Sequence, residues 1–413
     1  MERRRHPAAR PAPVATDSMR RHRPDYWLLI LCALLLSIGL VVVYAISPAL
    51  RGGGHIVTRQ LIAIGLSLVA FVVTAKIPLG QWQKWRKPLL IAAGVATALA
   101  LIMPVNPNYP AHRWVRLGGL SFQSVELLKF AVVVWLAGVL AAAVNQGWIK
   151  DLKRVARRIA VLLGVIGGVV VFIQSDFGSG VVMLAMMAVM MTVAGVPMRR
   201  LFLIGLVIGA ALLLAIAVTP YRRDRLQAYL HPATSNCSQA ATGYQACQAI
   251  VAVGSGGLIG LGLGSSVQAY GYLPEAPNDS IFAIYAEKFG FIGSIVLLAI
   301  FGTLFTRLFN IAGRAPDNFS RFLVLGIAAW LGTQTLINIG AMIGLFPLKG
   351  ITLPFISYGG TSMVFVAAAM GLVYQVSSYT VLRVSNERSG GHDNRLDGRR
   401  VRGAYHPDFS GRG

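Results

Sequence analysis

"YWLLILCALLLSIGLVVVYAIS", residues 26–47, contains no Asp, Glu, Lys or Arg. At a rise of about 1.5 Å per residue, such a run crosses the roughly 30 Å hydrocarbon core of a bilayer as one helix. It is too long for the apolar core of a signal peptide, and no small-residue cleavage site follows it, so it reads as a retained membrane helix. The rest of the chain has the same character. Of 413 residues, 55% are hydrophobic and 13% charged, with a mean hydropathy of +0.63. That balance excludes an ordinary soluble domain.

Working outward from this run, ten apolar stretches have membrane-spanning length: 26–47, 57–75, 88–104, 125–144, 159–174, 177–195, 201–218, 280–306, 321–343 and 361–382. The expected fold is an all-α integral membrane protein of about ten transmembrane helices. Its net charge of +23 is distributed unevenly. Lys and Arg number 7 in residues 1–25, 4 in 76–87, 5 in 150–158, 2 at Arg199 and Arg200, 3 in 307–321 and 7 in residues 383–413. With ten spans and both termini cytoplasmic, these segments all fall on the inner side, as the positive-inside rule requires. The basic tails 1–25 and 385–413 are rich in Arg, Pro, Gly and Ser, which predicts disorder beside anionic lipid or cytosol. Aromatic residues do not interleave with the basic runs, so a nucleic-acid partner is not expected. The membrane domain then covers 26–384, with one long extracytoplasmic loop, 219–278, between helices seven and eight.

The ionisable residues near the apolar runs cluster by depth. His112, Arg113 and Arg116 precede span four, with Glu126 and Lys129 in its first turns. Asp176 joins spans five and six, and Asp279 opens span eight in "YLPEAPNDSIFAIYAEKFGFIG" (272–293). Glu287 and Lys288 lie about 12 and 13 Å further in. All of them fall in the outer half of the membrane. A pump places such groups along the whole path, whereas this pattern suggests a site open to the outer leaflet.

Each residue also has a structural reading. Asp279 suits a helix N-cap, and Asn278 suits the same position one residue earlier, leaving Asp279 for other work. Glu287 and Lys288 are expected to meet opposite charges on neighbouring helices, since an unpaired charge at that depth is costly. Arg113 and Arg116, flanking Trp114, suit an interfacial anchor. "GSGGLIGLGLGSS" (254–266) matches neither a dinucleotide fingerprint nor a P-loop and reads as a closely packed or flexible outer loop. Cys237 and Cys247 in the long loop either pair or stay as free thiols, while Cys32 lies in the first span.

Four stretches carry a family resemblance: "HRWVRLGGLSFQSVELLKF" (112–130), "QSDFGSG" (174–180), "YQACQAIVAVGSGGLIGLGLGSSVQAYGYLPEAPNDSIFAIYAEKFGFIG" (244–293) and "PLKGITLPFISYGGTS" (347–362). Their order and spacing resemble the SEDS proteins, the FtsW and RodA family, and look closer to the cell-division branch than to the elongation branch. The chain departs from the family pattern at Ser124, Val125, Ser175, Pro277, Asn278 and Lys288.

The resemblance implies a glycosyltransferase of the cytoplasmic membrane that polymerises lipid II on the outer face. It also implies undecaprenyl-diphosphate-linked glycan as the growing strand, a class B penicillin-binding protein as transpeptidase partner, and other divisome proteins nearby. The alternatives are a lipid-linked precursor flippase or transporter, which needs a hydrophilic route reaching both leaflets, the RodA-type elongation polymerase, and a noncatalytic membrane scaffold for division proteins. Polymerisation needs a base for the attacking sugar hydroxyl and positive charge for the departing diphosphate. Asp279 is the candidate base. Arg113, Lys129 and Lys349 are candidates to hold the diphosphate, with Arg116 in reserve. Glu275 and Ser357 complete the expected substrate site, while Glu126, Asp176 and Glu287 are assigned supporting roles. A divalent cation, Mg or Mn, would share the work on the diphosphate. No organic cofactor is expected.

Overall fold

The computed structural model describes residues 19–21, 23–50, 53–103, 114–117, 120–151, 158–159, 162, 164–174, 176–218, 237, 243–347 and 350–381. All of these belong to one compact unit, Ser18–Val381.

Hydrocarbon offers backbone groups no water, so an apolar run must satisfy its own N–H and C=O groups and folds as a helix. The helices are α1 (Tyr26–Ile46), α2 (Gly53–Lys76), α3 (Leu79–Ile102), α4 (Ser124–Asn145), α5 (Phe177–Val193), α6 (Met198–Val218), α7 (Tyr244–Ser255), α8 (Ile281–Gly313), α9 (Asn318–Met342) and α10 (Gly360–Ser377). A π-helical segment, Val165–Ile173, precedes α5 and lies within the fifth expected span. Among the described residues, seven helices are long and apolar enough to cross a membrane: α1 to α4 and α8 to α10. The long loop contributes α7, and most of residues 219–242 lie outside the described residues.

Burial sorts the spans into two layers. The apolar windows of α4, α9 and α10 are 78%, 72% and 72% buried, against 33% or less for α1, α2, α3 and α8. The first three therefore form the centre, and the others turn much of their apolar surface outward. Trp330 of α9 is fully buried, and the α5 methionines Met183, Met186, Met187 and Met190 fill the interior. Such unbranched side chains adapt to irregular gaps.

Three boundaries differ from expectation. Helix α3 begins at Leu79, so 81–87, expected in a loop, is helical, with Trp82 buried and Pro88 inside the helix. Helix α8 runs to Gly313 rather than 306. Residues 19–21, expected in the disordered tail, form β1 (Met19–Arg21), which pairs antiparallel with β4 (Tyr379–Val381). A second ribbon, β2 (Trp114–Leu117) with β3 (Leu120–Gln123), leads into α4. At the β1–β4 end, Asp25 caps α1 through the Trp27 N–H at 3.0 Å, and its own N–H donates to Ser377 Oγ at 3.1 Å. Arg307 of α8 lies 3.8 Å from the Asp25 carboxylate. The start of α1 and the ends of α8 and α10 thus meet at one end of the bundle.

Helix α8 is broken at Gly290, whose φ of 67° and ψ of −163° no helix contains. A break at membrane depth frees backbone groups that protein must satisfy. The glycine-rich segment after α7 does so. Leu261 and Gly262 N–H donate to the Glu287 and Lys288 carbonyls at 2.9 and 3.0 Å, while Phe291 and Ile292 N–H donate to the Gly257 and Leu258 carbonyls at 2.9 and 3.0 Å. A Cβ at Gly256 or Gly260 would sit 2.2 Å from the Ala286 or Lys288 carbonyl oxygen. Glycine is required there for contact, which is the close-packing reading of 254–266.

Candidate active site

Asp279 lies on a tight turn just before α8. Glu275 starts the turn with φ +51°, and its carbonyl accepts from the Asn278 and Ser280 N–H groups at 3.0 and 3.2 Å. The Asn278 side-chain amide donates to the Glu275 carboxylate. Ser280 occupies the N-cap position and makes no side-chain cap bond. The cap readings of Asp279 and Asn278 are therefore both replaced.

Three successive carbonyls of this turn are gripped by donors from elsewhere in the chain. Tyr358 N–H donates to Pro277 O at 2.8 Å, Ser357 Oγ to Asn278 O at 2.6 Å, and Asn338 Nδ2 to Asp279 O at 2.7 Å. The gripping segment is itself fixed, with Leu353 N–H donating to Ser357 Oγ at 2.7 Å and Asn338 Nδ2 donating to Ile351 O at 2.7 Å. Among the described residues, Glu275 and Phe355 alone hold a positive φ without being glycine, and they lie on the two segments that meet here. Strained backbone of this kind persists only where the surroundings over-determine it. The Asp279 side chain is half-buried.

One helical turn before Asn338, Gln334 repeats the pattern, its Nε2 donating to Thr352 O at 2.9 Å and Thr352 Oγ1 at 3.1 Å. Its Oε1 accepts from Trp330 Nε1 at 2.8 Å and Lys129 Nζ at 3.3 Å. Lys129, 2% exposed, also lies 2.8 Å from Glu126 and 5.4 Å from the Trp330 ring centroid. A polar chain thus runs from Glu126 through Lys129 and Gln334 to the segment that holds Asp279. Lys129 meets protein groups inside the bundle, and the Ser357 hydroxyl serves the backbone of the Asp279 turn. In the described contacts both side chains meet protein groups.

Glu287 and Lys288 also depart from expectation. Neither is ion-paired to a neighbouring helix in the described contacts. Glu287, fully buried, accepts from Ser266 Oγ and from the Val267 and Gln268 N–H groups at 2.8 and 3.0 Å. Lys288 Nζ donates to Leu263 O at 2.6 Å. Both hold the glycine-rich loop, because i and i+1 side chains point about 100° apart on a helix and face different groups. Asp176 caps α5, accepting from Ser179 N–H and Oγ at 3.1 and 3.0 Å. Arg113 and Lys349 lie outside the described residues, as does the Arg116 side chain. Cys237 and Cys247 form a disulfide with Cα atoms 5.8 Å apart.

Asn338, Gln334 and Thr352 escaped the sequence reading, which followed charge. The signal was present in "TQTLIN" (333–338), where two amides stand four residues apart in an apolar helix and so share one face. Among the described residues, no three His, Cys, Asp or Glu side chains converge as a metal cage.

The family model described as "Cell cycle protein", covering FtsW, RodA and SpoVE, matches residues 26–381. This chain belongs to the FtsW/RodA/SpoVE family. Curated relatives in the family include a probable peptidoglycan glycosyltransferase FtsW of Saccharophagus degradans, 37% identical over 86% of this chain and 92% of that one. Stage V sporulation protein E of Bacillus subtilis is 34% identical over 87% of this chain and 99% of its own length. Among solved structures, a chain from a peptidoglycan synthase complex coordinating polymerization and crosslinking aligns with a TM-score of 0.69 and 28% identity, covering 86% of this chain and 97% of that one. The rod shape determining protein RodA of Thermus thermophilus aligns with a TM-score of 0.63 and 29% identity, covering 86% and 96%.

Proposed function

We propose that this family member is a peptidoglycan glycosyltransferase that polymerises lipid II on the outer face of the cytoplasmic membrane, in septal wall synthesis. Named relatives carry the enzyme class. The observation that carries the site is the grip on the Asp279 turn, where Tyr358, Ser357 and Asn338 hold three consecutive carbonyls and so fix one carboxylate at a helix entrance. Catalysis depends on such pre-set geometry, since misplacement by about 1 Å costs on the order of 100-fold.

In the proposed reaction, a hydroxyl of one saccharide attacks the anomeric carbon of another that is linked to lipid diphosphate. The new glycosidic C–O bond forms as the C–O bond to diphosphate breaks, and Asp279 takes the hydroxyl proton. Direct attack on an α-linked diphosphate inverts the centre and gives the β-1,4 strand. A glycosidase needs a second carboxyl to protonate its leaving group, whereas diphosphate departs as an anion. Arg113 and Lys349 are assigned to receive that anion, and Lys129 to stabilise the interior behind the site. A divalent cation there would have Asp279 as its protein carboxylate, with diphosphate oxygens supplying further ligands.

The ten-span topology with both termini inside belongs to the same reading, supported by the Lys and Arg distribution. In that frame the buried charged residues Glu126, Lys129, Asp176, Glu287 and Lys288 all lie in the outer half, which favours a one-sided polymerase over a flippase. A class B penicillin-binding protein is the proposed partner, and the similarity to a chain of a polymerising and crosslinking complex supports it.

The test is Asp279→Asn, assayed for lipid II polymerisation by the purified chain with its partner. The amide keeps the size of the side chain and removes the basic oxygen, so the expected loss is about 100-fold to 10,000-fold with an unchanged unfolding temperature. A rate within a few-fold of the parent would remove Asp279 as the base.

A further inference from the structure

The end of the bundle opposite Asp279 holds a cavity of about 780 Å³, within the range of small-molecule sites. Arg23 ahead of α1, Lys76 at the end of α2, and Tyr374, Gln375, Ser378 and Tyr379 at the end of α10 line it. Its rim is cationic, with Arg23 and Lys76 exposed. Its wall is different. Gln375 is 8% exposed, and its buried Oε1 accepts no hydrogen bond.

Lys76 alone has a bland explanation, since a cation in the last turn answers the helix dipole and positive charge is expected on the inner side. That account leaves the Gln375 acceptor unexplained, although a buried polar atom without a partner is costly. We propose that the cavity binds the headgroup of an inner-leaflet glycerophospholipid, its phosphate between Arg23 and Lys76 and a headgroup N–H or O–H donating to Gln375. Val72 and Val73, exposed within the preceding turn of α2, offer apolar surface for the acyl chains. The site lies where α2 and α10 end and α1 begins, level with the inner headgroups. It rests on the proposed inward placement of this end and not on the transferase reading.

Binding is measured on the purified full chain in mild detergent, by native mass spectrometry and lipid-dependent thermal shift, with no lipid II present. Phosphatidylethanolamine and phosphatidylglycerol both carry a phosphate and a donor beyond it. Phosphatidylcholine keeps the phosphate and lacks the donor. The first two are expected to bind about tenfold more tightly than the third, the effect of one hydrogen bond within a charged site. Gln375→Met should abolish that preference without loss of fold, because a side chain of similar size replaces a group that accepts no bond at Oε1. Arg23→Gln with Lys76→Gln should weaken all three lipids several-fold. Equal affinity for the three lipids, or unchanged binding by the Arg23/Lys76 double variant, would overturn the proposal. Inorganic phosphate stabilising as strongly as the lipids would assign the site to a soluble phosphate and overturn the lipid reading.

Discussion

Helices α4 and α8 each carry a glutamate and a lysine near their N-terminal ends, yet the two sets do opposite things. Glu126 and Lys129 are three residues apart, share a face, and meet at 2.8 Å inside the bundle. Glu287 and Lys288 are adjacent, so each turns to a different part of the 263–268 loop. One set ties a helix to its neighbour through Gln334 of α9. The other fastens a loop whose own N–H groups complete the broken backbone of α8. Spacing along the helix, more than charge, decides whether a Glu and a Lys form a pair or two separate anchors.

The most damaging way to break the comparison is Lys129→Met, which leaves Glu126 buried and uncompensated and should cost about 3–5 kcal/mol in unfolding measurements. Adding Glu126→Gln should restore most of that loss. A double variant no more stable than the single one would show that the pair is not the unit of stability. A smaller effect separates two glycines of the α8 loop. Gly260→Ala drives a Cβ into the Lys288 carbonyl at φ +84° and should cost about 1–3 kcal/mol. Gly262, at φ +85° with open space around it, should lose only about 1 kcal/mol as alanine, from backbone strain. Equal losses at the two positions would remove the contact argument for the glycine-rich segment. The smallest effect expected is a coupling. A double-mutant cycle of Glu287→Gln with Lys288→Met should give less than about 1 kcal/mol, below the Glu126–Lys129 cycle. A larger value would mean that the two act as a pair after all.

The helices were legible because apolar length alone marks a membrane span, and the close packing of 254–266 was legible because glycines without a phosphate motif have few other uses. Asp279 stood out as a carboxylate at a helix entrance. What holds it did not. The donors at Asn338, Ser357 and Tyr358 lie 59 to 81 positions away, and a turn gripped by its carbonyls leaves no trace in local composition. Glu287 was legible as structural, but its partners were assigned to other helices because the break at Gly290 cannot be read from hydropathy. The start of α3 was placed late because "QWQKWRK" has too many polar residues for an apolar window, although it is a helical turn facing Trp82 inward. Of ribbon β1–β4, strand β1 was hidden within a basic tail whose charge outweighed any strand signal, and β4 within the apolar run 361–382, whose helix ends at Ser377.

That ribbon also sets an order of events. Its strands pair Met19–Arg21 with Tyr379–Val381, and the bond from Asp25 N–H to Ser377 Oγ joins residues 352 positions apart. During synthesis α1 is made first and must wait, its N-terminal end unfastened, until Tyr379–Val381 has emerged. The latch between the first and last spans can therefore close only on a chain whose intervening helices are already in place. Chains stalled or truncated before α10 would keep this end of the bundle open.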